Sequence, residues 1–457
     1  MELGGRKIVI RAALALAIAA VAFVALRPLS RPSIRMDGHG YYSTLASILF
    51  DHDLDFTNEM AHTDNHNRRR WYTSPKDGRF INPFPVGAAV LWSPAVAICY
   101  ALDPARERYS DPTRWRGRSP AFRPRYVRTI AIATGLEAVA GLAILYAVLR
   151  RRFSRRSTLA GVAACAIGTP FVYYALAEPS YAHVASFFSC AVLLALALSP
   201  RRGALAFLAL GLAWGLVTLV RYQDGVLGLI AAPKLLRELG RARAERSIRP
   251  LLHIALFGAV AAAVIAVQFA FWNRVFGESL FSALPIAMDW TRPHVLEFLF
   301  STWGGAFLWS PILIVGIAGL AVVPDRSLRW SLLAAVVIEI YVAAAVSDYW
   351  GSASFGARRL VAIAPLFGFG ITAFVERCAT SLRRTQVVLA VVVLATLWNL
   401  RLAHYTVAGW FPDNVANVGA YARDYPFGHP NRNLPGLWDY PRFVAEVAHA
   451  ERRMWRL

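Results

Sequence analysis

The sequence predicts an all-α protein that crosses a membrane many times. Of its 457 residues, 57% are hydrophobic and only 17% are charged, whereas an average soluble domain carries about 25% charged residues. The apolar residues are gathered in runs, many of them near the length of about 20 residues that a bilayer-spanning helix needs. A soluble fold has too little interior to bury this much apolar surface, and the same composition excludes a disordered chain.

About eleven apolar runs are predicted to span the membrane, and a further run is predicted to lie along its surface. The first, residues 8–26, has basic residues on both sides and no small-residue cleavage site, which indicates a retained helix rather than a signal peptide. The further run, 84–102, contains Pro85 and Pro94 and fits a broken juxtamembrane helix. The other spans cover about residues 129–149, 158–176, 183–198, 204–220, 223–236, 251–272, 300–323, 330–346, 360–375 and 387–402.

The placement of arginine predicts the orientation of these spans. The chain has 49 Lys+Arg against 28 Asp+Glu, a formal net charge of +21. Basic clusters at residues 150–156, 201–202, 234–249, 325–329 and 377–384 all fall on one side, which the positive-inside rule makes cytoplasmic together with the N-terminus. A GC-rich genome is an alternative source of the arginine excess. Because the arginines are divided between both sides, with no soluble basic domain, no nucleic-acid partner is predicted.

The number and order of the predicted spans also predict the domain organisation. Residues 1–402 form a transmembrane domain whose first outer loop covers about residues 28–127, and residues 403–457 form an extracytoplasmic tail. The outer face holds most of the irregular chain, and the inner loops are short. A carrier needs polar groups at mid-bilayer depth, whereas the polar residues here gather at the outer ends of the spans. This distribution favours an enzyme that faces outward.

An acidic motif follows the first span directly. Asp37 begins the sequence Asp-Gly-His-Gly-Tyr-Tyr, which also contains His39 and Tyr41. A carboxylate at the lipid–water boundary can act as a general base on an attacking hydroxyl group. The alternative is that Asp37 only caps the helix that follows it.

A second acidic stretch contains the candidate metal ligands Asp53, Asp55 and Glu59. Carboxylates at alternate positions can converge on a hard divalent cation such as Mg, Mn or Ca through oxygen ligands. The alternative is a solvated acidic loop that pairs with the arginines at residues 68–70. A divalent cation is therefore an open candidate cofactor.

Several motifs, in this order and with this sidedness, resemble those of the GT-C glycosyltransferases. The similar members are bacterial relatives of protein O-mannosyltransferases and of the aminoarabinose transferase that acts on lipid A. In that superfamily an acidic residue at the start of the first outer loop is the usual catalytic base, and Asp37 occupies that place. The other matching elements are Pro83-Phe-Pro85, Thr169-Pro170 with Glu178 to His183, Arg221-Tyr-Gln-Asp224, and Ser354-Phe-Gly-Ala-Arg358-Arg359. Asn82 stands where the mannosyltransferase branch has a histidine.

The resemblance implies a GT-C fold and an inverting sugar transfer. A polyprenyl-phosphate-linked sugar would be the donor, and a lipid, glycan or protein the acceptor, on the extracytoplasmic face of a bacterial inner membrane. Asp37 would be the base, and the donor phosphate would bind Arg358, Arg359 and Arg221, for which snorkelling at helix ends is the alternative. The residues expected to bind acceptor or sugar are His39, Tyr41, Glu178, His183 and Trp350.

Simpler structural roles remain open for these last residues. Glu178 and His183 also fit a helix-turn cap and an interface histidine, and Trp350 also fits an interface anchor. Two other functions are open for the whole chain. One is a flippase or transporter of lipid-linked saccharides, and the other is a glycan polymerase or ligase.

Overall fold

The computed structural model describes residues 33–35, 37–60, 80, 82–105, 119–277, 288–301, 304–349, 351 and 354–407. The predicted span 8–26 and the tail beyond residue 407 lie outside the described residues. The α-helices are, in chain order, α1 (Asp37–Ala46), α2 (Thr57–Met60), α3 (Gly87–Ala101), α4 (Pro124–Arg150), α5 (Arg155–Gly168), α6 (Phe171–Leu176), α7 (His183–Leu198), α8 (Ala204–Val220), α9 (Ala232–Ala244), α10 (Arg249–Phe276), α11 (Val295–Phe300), α12 (Ala306–Trp309), α13 (Ile312–Ala321), α14 (Arg326–Ala345), α15 (Ala364–Cys378) and α16 (Leu382–Val407). A π-helical turn covers Ser47–Asp51, and 3₁₀ helices cover Pro120–Phe122, Tyr222–Ala231 and Arg358–Val361.

Apolar helices dominate the described part of the chain. Four of them, α4, α10, α14 and α16, are long and apolar enough to cross a membrane, and α3, α7, α8 and α13 are shorter apolar helices. Within the described ranges, β structure is limited to one isolated bridge between Met288 and Val346. The protein is therefore an all-α, multi-pass membrane protein, as the sequence predicts. The count of eleven spans and the division at residue 402 stay predictions.

Three predicted spans are interrupted in the structure. Residues 158–176 break between α5 and α6 at Thr169-Pro170, because proline cannot donate the helical hydrogen bond. Residues 300–323 divide into α11, α12 and α13, and Pro311 directly precedes α13. The predicted span 223–236 is instead the 3₁₀ helix Tyr222–Ala231 followed by the amphipathic helix α9, which begins at Ala232-Pro233.

The first outer loop supplies short helices that pack on the apolar bundle. An extended entry through Pro83 and Pro85 leads to α3, and the Val86 N–H donates to Oε1 of Gln268 in α10 over 2.8 Å. The 15 residues of α3 give a length of about 22 Å, short of the bilayer core. Its interfacial position stays a prediction. Trp92 of α3 is fully buried among residues of α1 and α4.

Helix α15 lies at the centre of the bundle, with nearly every side chain buried. Its contact with α13 is close because glycines face each other. A Cβ atom on Gly370 would collide with the carbonyl oxygen of Gly316, and one on Gly319 would collide with the carbonyl oxygen of Gly370. Small residues of this kind let membrane helices approach at backbone distance.

Contacts between the basic loops place them at one end of the bundle. The Ser154 hydroxyl donates to Oε2 of Glu376 over 2.6 Å, which joins the loop after α4 to the last turn of α15. Arg237 pairs with Asp325 at 3.3 Å, and Nζ of Lys234 donates to the Leu196 carbonyl over 2.9 Å. Helices α7 and α15 begin next to the predicted site residues His183 and Arg359 and end next to these basic loops, so the candidate site lies at the opposite end of the bundle. Which end is cytoplasmic stays a prediction.

Candidate active site

An ion pair between Asp37 and Arg358 forms the centre of the site. Asp37 is the first residue of α1, and Arg358 begins the 3₁₀ helix Arg358–Val361. Nη1 of Arg358 lies 2.7 Å from Oδ2 of Asp37, and the two side chains are 10% and 22% exposed. Burial lowers the Arg358 pKa, but Asp37, Tyr174, Tyr181 and Asp348 together raise it by more, so the net pKa lies above the usual value for arginine. The pair is thus a charged couple at the edge of solvent.

Close packing holds both partners in place. Gly38 lies against Ser180, and a Cβ atom at position 38 would collide with the serine hydroxyl. The ring of Tyr181 lies 5.7 Å from Cζ of Arg358, in a cation–π contact. The Tyr174 hydroxyl donates to the Phe355 carbonyl over 3.2 Å and accepts from the Phe355 N–H over 3.1 Å. These contacts fix the chain that leads to Arg358.

The two other predicted phosphate-binding arginines lie beside Arg358 and have carboxylate partners of their own. Arg359 donates to the carboxylate of Asp348 and, over 3.2 Å, to its carbonyl oxygen. Nη1 of Arg221 donates to the Arg359 carbonyl over 3.2 Å and lies 3.3 Å from Oδ1 of Asp224. The structure therefore brings all three predicted arginines together. Of the three, Arg358 makes the contact with Asp37.

The predicted acceptor residues in the first outer loop lie next to Asp37. His39 stacks on Phe122 with ring centroids 5.3 Å apart, and Tyr41 packs edge-on against Phe84 at 4.7 Å. Burial raises the pKa of Tyr41 to about 12, so its hydroxyl stays protonated at neutral pH and can donate a hydrogen bond. Both rings belong to the wall of the site.

The predicted residues of the turn before α7 differ in their surroundings. Glu178 is half-buried within electrostatic reach of Arg35 and Asp37, and burial raises its pKa to about 7. His183 is buried, with its ring 4.6 Å from that of Tyr174 and 5.8 Å from that of Tyr181. Glu178 can therefore change its protonation near neutral pH, whereas His183 is part of an aromatic cluster. Trp350 lies outside the described residues.

The predicted metal ligands do not form a metal site among the described residues. No group of three His, Cys, Asp or Glu side chains in that part of the chain could hold one ion. Oδ1 of Asp53 accepts from a serine hydroxyl and from the Asp55 N–H, and Oδ1 of Asp55 accepts from the Thr57 hydroxyl over 2.6 Å. Glu59 is fully buried, and burial next to Asp51 raises its pKa to about 10. Two of the three carboxylates are therefore caps, and the third belongs to a buried carboxyl pair.

Comparison with known proteins identifies the fold. No family model and no curated protein matches the chain. Among solved structures, ArnT from Cupriavidus metallidurans bound to undecaprenyl phosphate matches with a TM-score of 0.50 and 15% identity, over 96% of this chain and 77% of that one. The Archaeoglobus fulgidus oligosaccharyltransferase matches with a TM-score of 0.50 and 14% identity, over 94% of this chain and 63% of that one. The chain has the GT-C fold.

Three residues of the candidate site are not among the predicted site residues. Tyr174 and Tyr181 hold the chain around Arg358, and Asn82 donates to the Gly40 carbonyl over 2.8 Å and to the Thr44 hydroxyl over 3.0 Å. The Asn82 contacts tie the proline-rich entry of α3 to α1. The sequence could have indicated these residues, because all three lie in or beside the motifs that resemble those of the GT-C enzymes. Tyrosines near a membrane surface are also typical interface anchors, which hides such a role.

Proposed function

We propose that the protein is an inverting glycosyltransferase that moves a sugar from a polyprenyl-phosphate donor to an acceptor on the extracytoplasmic face of the membrane. The observation that carries the proposal is the Asp37–Arg358 ion pair, at the end of the bundle opposite the basic loops. It places a carboxylate base beside a cation that suits a phosphate. The GT-C fold supports the proposal, as does the undecaprenyl phosphate bound to the similar ArnT structure.

The proposed reaction divides the work between the two side chains. The Asp37 carboxylate accepts the proton of an acceptor hydroxyl while that oxygen forms a bond to the anomeric carbon of the sugar. The bond between the anomeric carbon and the phosphate oxygen breaks, and its electron pair leaves with the phosphate. Arg358 stabilises the negative charge that develops there. A guanidinium has five N–H donors, so Arg358 can bind phosphate while it still orients Asp37.

The neighbouring residues complete the proposed site. Arg359 and Arg221 lie beside Arg358, each paired with its own carboxylate. His39, Tyr41 and Glu178 lie near Asp37 and are the proposed contacts for the acceptor. The sugar and the acceptor are proposed only as chemical classes, and the extracytoplasmic orientation of this face is part of the proposal.

Replacing Asp37 with asparagine tests the proposed function. The variant keeps the shape of the side chain and removes the base, so we expect transfer to fall by about 10²- to 10⁴-fold. Transfer is measured in proteoliposomes that contain a polyprenyl-phosphate sugar and an acceptor. Asp289→Asn is the matched control, because Asp289 caps an exposed turn through its contacts with Thr291 and Arg292. Undiminished turnover by folded Asp37→Asn would remove Asp37 as the base.

The same assay separates the other two candidate functions. Movement of the lipid-linked sugar across the bilayer without a new glycosidic bond would indicate a flippase. Transfer of whole glycans rather than single sugars would indicate a polymerase or ligase.

A further inference from the structure

Two neighbouring carboxyl groups, those of Asp224 and Glu339, are more deeply buried than the Asp37–Arg358 ion pair. Asp224 belongs to the 3₁₀ helix Tyr222–Ala231 and Glu339 to α14, and both are buried, at 0% and 1% exposure. Their side chains lie close enough together to share a hydrogen bond. Two carboxyl groups can share a hydrogen bond only when one of them holds a proton. The pair therefore carries one negative charge rather than two.

The surroundings of the pair decide which member holds the proton. Asp224 accepts a hydrogen bond from the Ser186 hydroxyl of α7, and its Oδ1 lies 3.3 Å from Nη1 of Arg221. Oε2 of Glu339 and Oδ1 of Asp224 are both buried without a hydrogen bond among the described residues, but Oδ1 of Asp224 has the Arg221 cation beside it. A nearby cation and a hydroxyl donor both favour the ionised form of a carboxyl group. Asp224 is therefore the carboxylate, and Glu339 is the protonated donor.

This arrangement is electrically balanced and reaches the candidate active site. The single charge of the pair is compensated by Arg221, which avoids the high cost of an unpaired buried charge. Nη1 of Arg221 also donates a hydrogen bond to the Arg359 carbonyl over 3.2 Å. Arg359 directly follows Arg358, so a continuous chain of contacts runs from α7 and α14 to the backbone of the Arg358–Val361 helix.

We propose that Glu339, Asp224 and Arg221 form a positioning network that holds the Arg358–Val361 helix so that Arg358 meets Asp37. In this network a neutral Glu339 donates to an ionised Asp224, and Arg221 acts through the Arg359 carbonyl rather than by touching the donor phosphate. The inference rests on the proposed function for its kinetic test. It assigns Arg221 a different role from the phosphate contact that the sequence motif predicts.

Two isosteric substitutions test the assignment of the proton. Glu339→Gln keeps a donor toward Asp224, so it is expected to retain more sugar transfer than Asp224→Asn. Asp224→Asn removes the carboxylate that pairs with Arg221, so Arg221 holds the Arg359 carbonyl and the Arg358–Val361 helix less firmly, and kcat is expected to fall by about 100-fold, with an unchanged KM for the donor. Equal loss in the two variants, or loss in Glu339→Gln alone, would overturn the assignment.

A third substitution separates positioning from phosphate contact. Arg221→Lys keeps a positive charge beside Asp224 but lacks the second hydrogen-bonding arm that reaches the Arg359 carbonyl. A lower kcat with an unchanged KM for the donor is expected from the positioning role. A higher KM with an unchanged kcat would show that Arg221 contacts the donor and would overturn the inference. This variant also serves if Asp224→Asn does not fold.

Infrared spectroscopy supplies a readout that does not depend on activity. The difference spectrum of wild-type protein minus Glu339→Gln is expected to show the carbonyl stretching band of a protonated carboxyl group. The same band is expected when the comparison is made between Asp37→Asn and the double variant with Glu339→Gln. The band therefore reports on the network even if Asp37 is not the base. Absence of the band from the difference spectrum would show that Glu339 is ionised and would refute the proposed network.

Discussion

Replacing Arg358 with lysine or glutamine separates the geometry of its side chain from its charge. The guanidinium reaches Asp37 at 2.7 Å and lies over the ring of Tyr181. Lysine keeps the charge but presents a compact ammonium group, which cannot bridge a carboxylate and a phosphate in the way that a planar fork can. Glutamine keeps much of the length and removes the charge.

The expected losses follow from the burial and geometry of the pair. Arg358→Lys removes a charge-assisted hydrogen bond worth about 1.5–3 kcal/mol, which corresponds to about a 10- to 100-fold loss in kcat/KM. Arg358→Gln leaves Asp37 without its cation, and breaking a buried pair costs about 3–5 kcal/mol. We therefore expect Arg358→Gln to be the more damaging variant, by about another tenfold or more.

The assay is single-sugar transfer in proteoliposomes, with thermal unfolding measured on the same samples to confirm folding. Arg237→Lys is the matched control, because Arg237 pairs with Asp325 at the opposite end of the bundle and is 62% exposed. Wild-type transfer by a folded Arg358→Gln variant would refute the role of Arg358. Equal activity of the lysine variant and wild type would show that charge alone is sufficient.

Two further predictions concern packing and pH. Gly87→Ala is expected to destabilise the protein by about 1–3 kcal/mol, because its Cβ atom would collide with the backbone at the end of α8, whereas Gly135→Ala, with nothing within 4 Å, should leave the unfolding temperature unchanged or slightly higher. Burial raises the pKa of Glu178 from 4.5 to about 7, so its contribution to stability is fully present below pH 4.5 and is lost as the pH rises through about 7. Glu178→Gln should therefore flatten the dependence of the unfolding temperature on pH over that window, and an unchanged profile would contradict the buried position of Glu178.

The sequence could predict that the site residues lie on one face of the membrane, but it could not predict which of them form ion pairs. Counting spans assigns Asp37 and Arg358 to the same face, because sidedness depends on the number of crossings and on loop charge. The two residues are 321 positions apart in the chain. No local pattern relates them, since their contact depends on the packing of several helices between them. A sequence can therefore predict the face of such a site and leave the partners open.

The differences between the predicted and the observed surroundings of the spans and carboxylates have a common physical origin. Hydropathy describes how apolar a run is, but it does not register a backbone break within the run, such as Thr169-Pro170. Likewise, alternating carboxylates such as Asp53 and Asp55 fit either a metal or a set of caps. The outcome depends on whether nearby N–H and hydroxyl groups donate hydrogen bonds to the carboxylate oxygens. Here the Asp55 N–H and the Thr57 hydroxyl do so.

The charges of the site connect binding with catalysis under the proposed function. Arg358, Arg359 and Arg221 are each ion-paired with an aspartate in the described structure, so these pairs leave no excess positive charge. A donor phosphate that binds Arg358 therefore brings negative charge close to Asp37, and a nearby negative charge makes a carboxylate a stronger base. Asp37 would accept the acceptor's proton most readily when the donor is in place. The ion pair with Arg358 thus keeps Asp37 a weaker base until the donor binds. Donor binding is therefore expected to precede proton transfer.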